Sequence, residues 1–126
     1  MSYKQPVINY LNFIIETKSD EEKLSALSLT ATAKCLKTSR RSLERYLKNE
    51  NTSFRKLLDD VRKEHSEKLI NTMLVKDVAK YLGYKSHNCY SKRYKNWFGK
   101  SPSYAKYLHR INVYARALNK QNNGVI

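Results

Sequence analysis

Residues 75–107 read VKDVAKYLGYKSHNCYSKRYKNWFGKSPSYAKY. Val75, Val78, Ala79 and Leu82 recur at the three- and four-residue spacing of one helical face. Gly83-Tyr84 breaks that pattern and marks a turn. Ser86 is suited to cap the next helix, whose apolar side is Tyr90, Tyr94, Trp97 and Phe98. Gly99 stops that helix. Ser101-Pro102 starts another, with Ser at the cap and Pro in the first helical position. Tyr104, Tyr107, Leu108, Ile111 and Leu118 carry its stripe to about Asn119. The stretch predicts a short helix, a tight turn and a longer helix over 75–98, then a C-terminal helix over 102–119. Residues 121–126 are expected to fray.

The same arrangement occurs earlier in the chain. Ser28 can cap a short helix with Leu29, Ala33 and Leu36 inward. Lys37-Thr38 makes a turn, and Ser39 caps a helix carrying Leu43, Tyr46 and Leu47. Ala33 and Leu36 are separated by three residues, as are Ala79 and Leu82. Leu43 and Leu47 are separated by four, as are Tyr90 and Tyr94. A small Ala lets two helices cross closely, and an apolar pair at i, i+4 anchors the second while its other face stays free. Two such units, about 46 residues apart, predict tandem helix-turn-helix subdomains over 28–48 and 75–98.

Asn51 tolerates the left-handed backbone that ends the first unit. Ser53 opens a long linker helix over 53–71, with Phe54, Leu57, Leu58, Val61, His65, Leu69 and Ile70 as its stripe. Val7, Tyr10, Leu11, Ile14 and Ile15 predict a leader helix over 6–17 with Pro6 in its first turn. Residues 18–28 read as a polar, acidic loop with room for an extra turn. The expected fold is all-α, one domain of about seven helices.

The 126 residues carry 25 Lys and Arg against 11 Asp and Glu, a net charge of +14. Residues 1–28 hold three basic and four acidic side chains, so the whole excess lies downstream, and no acidic residue follows Asp77. A basic body with a near-neutral leader calls for a polyanionic partner, nucleic acid first and an anionic membrane surface second. A membrane-surface protein would need one helix with a clean basic and apolar split, whereas the charge here is spread over several. No apolar run reaches the ~20 residues of a membrane helix, and Met1-Ser2-Tyr3-Lys4 is not the start of a signal peptide, so the expected compartment is the cytoplasm. Cys35 and Cys89 read as two reduced thiols.

From this point the sequence resembles the DNA-binding domain of the AraC/XylS family of bacterial transcription regulators. Val78-Ala79, Gly83-Tyr84, Tyr90, Tyr94, Phe98-Gly99, Ser101-Pro102 and Tyr104 match its second unit. In LSLTATAKCLKTSRRSLERYLKNENTSF, residues 27–54, Leu27, Leu29, Ala33, Ser39, Leu43, Arg45 and Leu47 match the first. There are departures. Lys37 stands where the family usually has Gly, a left-handed position costing up to about 1 kcal/mol. Asn51 replaces a Gly-containing turn, and the link from Ile70 to Val75 is short, so the spacing on DNA is left open. Tyr replaces Phe at 84, 90 and 94, and buried hydroxyls need partners.

In a helix-turn-helix the second helix enters the major groove. In the first unit Arg41, Glu44 and Arg45 share an outward arc. Arg41 and Arg45 could hold guanine bidentately, and Glu44 could accept from cytosine, or instead pair with Arg40, Arg41 or Lys48. In the second unit His87, Asn88, Lys92 and Arg93 face outward, with Asn88 able to read adenine. The resemblance puts base contacts at Arg41, Glu44, Arg45, His87, Asn88 and Lys92. Ser39, Arg40, Lys48, Ser86, Arg93 and Lys95 are the candidates for the phosphate backbone, with a merely solvated face the alternative for Arg93 and Lys95. Most of Tyr46, Tyr81, Tyr90, Tyr94, Trp97, Phe98, Tyr104 and Tyr107 read as core, although such rings can also stack on single strands.

Neither a phosphate loop, nor HExxH, nor GxSxG, nor a paired-carboxylate motif is present, and His65 and His109 stand alone. No enzyme, metal, cofactor or small-molecule effector site is expected. His65 reads as a satisfied core histidine. The reading is a sequence-specific binder of double-stranded promoter DNA, a monomer on an asymmetric site. The resemblance implies a linker helix that sets the two reading helices about one turn, ~34 Å, apart. It also implies an activator that contacts RNA polymerase. A nonspecific nucleic-acid packaging protein is the alternative, disfavoured by the polar set Glu44, His87 and Asn88. A recombinase-type domain would lack its catalytic segment. Only about 28 residues precede the first unit, too few for the effector domain most members have. The chain is then a stand-alone member or an excised domain, and Met1 slightly favours the former.

Overall fold

The computed structural model describes residues 2–123, with side chains as far as Asn119. Among the described residues there are eight helices and no strand. They are α1 (Lys4–Thr17), α2 (Asp20–Ala26), α3 (Leu29–Cys35), α4 (Arg40–Asn49), α5 (Phe54–Leu69), α6 (Val75–Tyr81), α7 (His87–Phe98) and α8 (Pro102–Asn123).

Serine sets most of the helix starts. Ser19, Ser28, Ser39, Ser53 and Ser86 each accept a hydrogen bond from the backbone N–H three residues on, satisfying a donor that the first turn leaves over. The first of these corrects the sequence reading of residues 18–28 as a loop. Ser19 and Glu22 form a capping pair, Ser19 Oγ bonding both the Glu22 N–H and its carboxylate, and the segment is helical. Three acidic residues in its first turn suit the positive end of the helix dipole.

The stops are as local. After α3, Thr38 N donates to Ala33 O and Lys37 N to Lys34 O. After α6, Tyr84 N donates to Ala79 O and Gly83 N to Lys80 O. After α4, Thr52 N donates to Leu47 O and Asn51 N to Lys48 O. All three are Schellman stops, with Lys37, Gly83 and Asn51 at φ 57°, 81° and 59°. The two turns of the tandem units are thus the same hydrogen-bonded structure, built once on Lys and once on Gly.

Two apolar centres share α5. Val7, Leu11, Ile14 and Ile15 of α1 meet Ala33, Leu43, Leu47, Leu57, Leu58 and Val61 in the first. Ile70, Val78, Ala79, Leu82, Tyr90 and Tyr94 form the second. Tyr81 touches both. The leader helix completes the first core by lying along α5. It starts two residues before Pro6, because the Glu50 carboxylate at the end of α4 accepts from Tyr3 N at 3.0 Å and from the Ser2 hydroxyl.

Two other boundaries differ from expectation. α5 ends at Leu69 rather than 71, and α8 runs to Asn123 rather than 119. Residues 124–126 of the expected frayed end lie outside the described residues. Tyr104, Tyr107, Ile111 and Leu118 do not form a buried stripe; they are exposed. The second core is already closed by α5, α6 and α7, and among the described side chains of α8 only Pro102, Ala105, Lys106 and Leu108 are covered or half-covered.

Candidate nucleic-acid interface

α4 has two unlike faces. Leu43 and Leu47 are fully buried, which fixes the rotation of the helix. Arg41, Glu44, Arg45 and Lys48 are therefore exposed together. Arg40 Nε lies 3.7 Å from Glu44 Oε1 with both side chains mostly in solvent. That is a loose pair worth little, and easily exchanged for another partner. The Arg45 guanidinium lies 5.4 Å from the centre of the Tyr46 ring, itself stacked on Tyr3.

α7 repeats the design with aromatic anchors. Tyr90 and Tyr94 are buried, so His87, Asn88, Lys92 and Lys95 are exposed. The Ser39 and Ser86 hydroxyls each cap the third helical N–H, Ser42 and Cys89. Helix geometry leaves the first N–H groups of α4 and α7 without an intrahelical partner, which suits an anion.

Arg93 differs from its neighbours. Its Nε donates to Asp59 Oδ1 at 2.9 Å, while Trp97 Nε1 donates to Asp59 Oδ2 at 2.9 Å. One carboxylate on α5 thus holds two side chains of the reading helix. Arg93 is a tie between helices, a role its place in the basic face did not reveal.

Further polar ties lock the second unit to the rest. Tyr90 OH meets Ser66 Oγ at 2.5 Å in the interior. Arg62 donates from Nε to Leu82 O and from Nη2 to Gly83 O, and lies over the Tyr84 ring at 4.2 Å. Burial pulls its guanidinium below the ordinary range. Lys23 of α2 is 2% exposed, and its Nζ donates to Tyr81 O at 2.8 Å. Burial lowers its pKa, and Asp20 at 3.6 Å opposes the shift. Lys23 and Arg62 both present positive charge to the carbonyl end of α6, where the helix dipole favours it. Lys106 of α8 donates to Ile70 O at 2.9 Å and Met73 O at 2.5 Å, bridging the link between α5 and α6.

The three tyrosines fare differently. Tyr90 has Ser66. The Tyr84 hydroxyl is buried without a hydrogen-bond partner, and burial pushes its pKa up to about 12 despite the nearby Arg62 charge. The Tyr94 phenol is also shifted up by burial. His65 is half-buried, with Nε2 2.7 Å from Asn12 Oδ1.

Sequence reasoning missed Asp59, Arg62 and Arg55. Arg55 is exposed in the first turn of α5 and borders two clefts, one shared with Glu44 and Lys48 of α4 and one with Arg93 of α7. Only packing brings α5 between the two reading helices. Among the described residues, no three His, Cys, Asp or Glu side chains are gathered as a metal site would need. No described helix is long and apolar enough to cross a membrane.

Residues 32–106 match a family described as a helix-turn-helix domain. The ornithine utilization regulator of Pseudomonas aeruginosa is 34% identical over 77 residues, covering 60% of this chain. The chain spans only 23% of that regulator's length. Among solved structures, a DNA-binding transcriptional dual regulator from Escherichia coli K-12 has the same fold, with a TM-score of 0.70 at 24% identity over 84% of this chain and 90% of that one. The C-terminal domain of AraT, a response regulator from Geobacillus stearothermophilus, superposes with a TM-score of 0.66 at 25% identity, covering 82% and 84%. The tandem turns, the shared central helix and a family match over more than half its length together say that the chain belongs to the AraC-type helix-turn-helix family of DNA-binding transcription regulators.

Proposed function

We propose that this chain reads an asymmetric double-stranded promoter site as a monomer, one block of bases per reading helix, and that it activates transcription there. The observation that carries the reading is the pair of unlike outward faces, Arg41, Glu44 and Arg45 on α4 and His87, Asn88 and Lys92 on α7, each on a helix anchored by a buried apolar pair. Each set offers bidentate or donor–acceptor chemistry to base edges. Arg40, Lys48 and Lys95 supply sequence-independent attraction to phosphates, and Ser39 and Ser86 open the helix starts toward them. Arg93 holds α7 to α5 through Asp59 and reaches the backbone only with its remaining N–H groups. Activation through contact with RNA polymerase is supported by the family resemblance.

The test is selection of bound duplexes from a random pool at about 150 mM salt, where nonspecific binding is suppressed. Two dissimilar blocks about one helical turn apart are expected. A single block would mean that one unit holds only backbone. No motif, with affinity collapsing as salt rises, would mean a charge-driven packaging protein instead. Arg45→Ala should cost ~1–3 kcal/mol and relax one base position, whereas Lys95→Ala should weaken all sequences alike. Equal losses on selected and random DNA for Arg45→Ala would remove its reading role. Transcription in vitro from a promoter carrying the selected site should rise on addition of the protein; a fall would make it a repressor.

A further inference from the structure

A cleft of about 250 Å³ opens between α5 and α7, its walls including Arg55, Asp59, Arg62, Tyr84, Cys89 and Arg93. Three arginines line it against one carboxylate. Both Asp59 oxygens are already engaged, by Arg93 Nε and Trp97 Nε1. The bonds of Arg62 run to carbonyl oxygens of Leu82 and Gly83, which carry no formal charge. A guanidinium has five N–H donors, so Arg62 and Arg93 keep donors beyond these bonds. Arg55 is exposed, and makes no ion pair among the described residues. The Tyr84 hydroxyl on the same wall is buried without a partner. Such a cleft concentrates like charge in a partly shielded space, an arrangement that an anion relieves. Planar forks suit a phosphate in particular, because they bind it through paired N–H groups.

We infer that the Arg55–Arg62–Arg93 cleft is a seat for one phosphate group. Its position suggests two sources. Arg55 also borders the groove beside Glu44 and Lys48 of α4, so it stands between that groove and the α5–α7 cleft. A backbone phosphate of the DNA joining the two blocks would reach it there, and this source rests on the proposed two-block reading. A free phosphorylated small molecule has the same chemistry and does not depend on that reading.

The probe is inorganic phosphate, titrated into the full chain with ionic strength held by chloride. The indole N–H of Trp97 and the Nε–H of Arg93 are followed by NMR. Saturable shifts are expected, weakened about tenfold in Arg55→Gln, as the loss of one charge-assisted contact implies. Arg55 is exposed, so this variant keeps the fold, and Tyr84→Phe provides a second. Shifts that do not saturate, or that Arg55→Gln leaves unchanged, overturn the proposal. The source is then read with duplexes bearing a single neutral methylphosphonate, stepped between the two blocks. A loss of about tenfold at one position, absent in Arg55→Gln, identifies the DNA backbone. Indifference at every position with the phosphate shifts intact assigns the seat to a free phosphate ester. Should the duplex selection yield no motif, the phosphate titration still reads the seat by itself.

Discussion

Ser66 and Tyr90 meet inside the molecule, 2.5 Å apart, both at 0% exposure. Neither hydroxyl has water to fall back on. Ser66→Ala is expected to cost about 1–3 kcal/mol by leaving the phenol unpaired. Tyr90→Phe should cost less, since a helical Ser can turn its hydroxyl to the carbonyl four residues back. The double variant should recover much of the loss of Ser66→Ala, as measured by denaturant midpoints. Simple additivity would mean the pair contributes nothing as a pair. Titration gives a second check. Burial lowers the His65 pKa, so the folded chain resists the proton that the unfolded chain takes up below about 6.5. Stability is therefore expected to fall as pH drops from neutral through that window, and to fall less in His65→Gln. Tyr84 and Tyr90 act at the other end. Their pKa values are pushed up to about 12, so the unfolded chain loses protons near pH 10 that the folded one keeps. Stability should decline again between pH 10 and 12, read by thermal melts across pH.

Single elements are governed by their ends. The turns after α3 and α6 have the same hydrogen bonds, yet one is built on Lys37 and the other on Gly83. A left-handed backbone strains any residue with a Cβ. Lys37→Gly is expected to stabilise by up to about 1 kcal/mol, the relief of strain less the entropy of a glycine. Gly83→Ala should do the reverse by at least that amount, since its Cβ would also come within 2.6 Å of Leu27 Cδ1. Equal melting temperatures for the parent and the two variants would refute the turn argument. Most of the helices were legible because their starts, and the stops after α3, α4, α6 and α7, are signalled within a few residues. α2 carries such a signal too, Ser19 followed by Glu22. The start of α1 had none, because its cap, Glu50, is 47 residues away from Tyr3.

At the scale of the whole molecule, α5 is the common wall of both cores and the holder of α7. Asp59 binds Arg93 and Trp97 at once, so Asp59→Ala should release the reading helix. We expect a loss of about 1–3 kcal/mol in stability, a shifted Trp97 indole signal, and weaker binding to selected DNA without a change of motif. A changed motif would mean that Asp59 acts on the bases through the angle of α7 rather than through its firmness. A fragment ending at Asn71 would keep the first core but lose the Tyr81 carbonyl that receives Lys23. It should bind more weakly and less selectively than the full chain.

By itself the sequence determined that the chain is helical, where the tandem turns fall, and which faces of the two reading helices point outward. These are consequences of periodicity, caps and left-handed stops, all of which act between residues a few positions apart. The tertiary structure alone decided which basic residues are free and which are bound. Lys23, Arg62, Arg93 and Lys106 look like their neighbours in the sequence, yet each is held by a partner 20 to 58 residues away. It also decided that the apolar stripe of α8 is exposed, because a stripe buries only where another surface meets it. Local chemistry writes helices into a sequence. The pairing of distant charges and faces is set by how those helices pack, and that is where Arg55, Asp59 and the cleft between α5 and α7 arise.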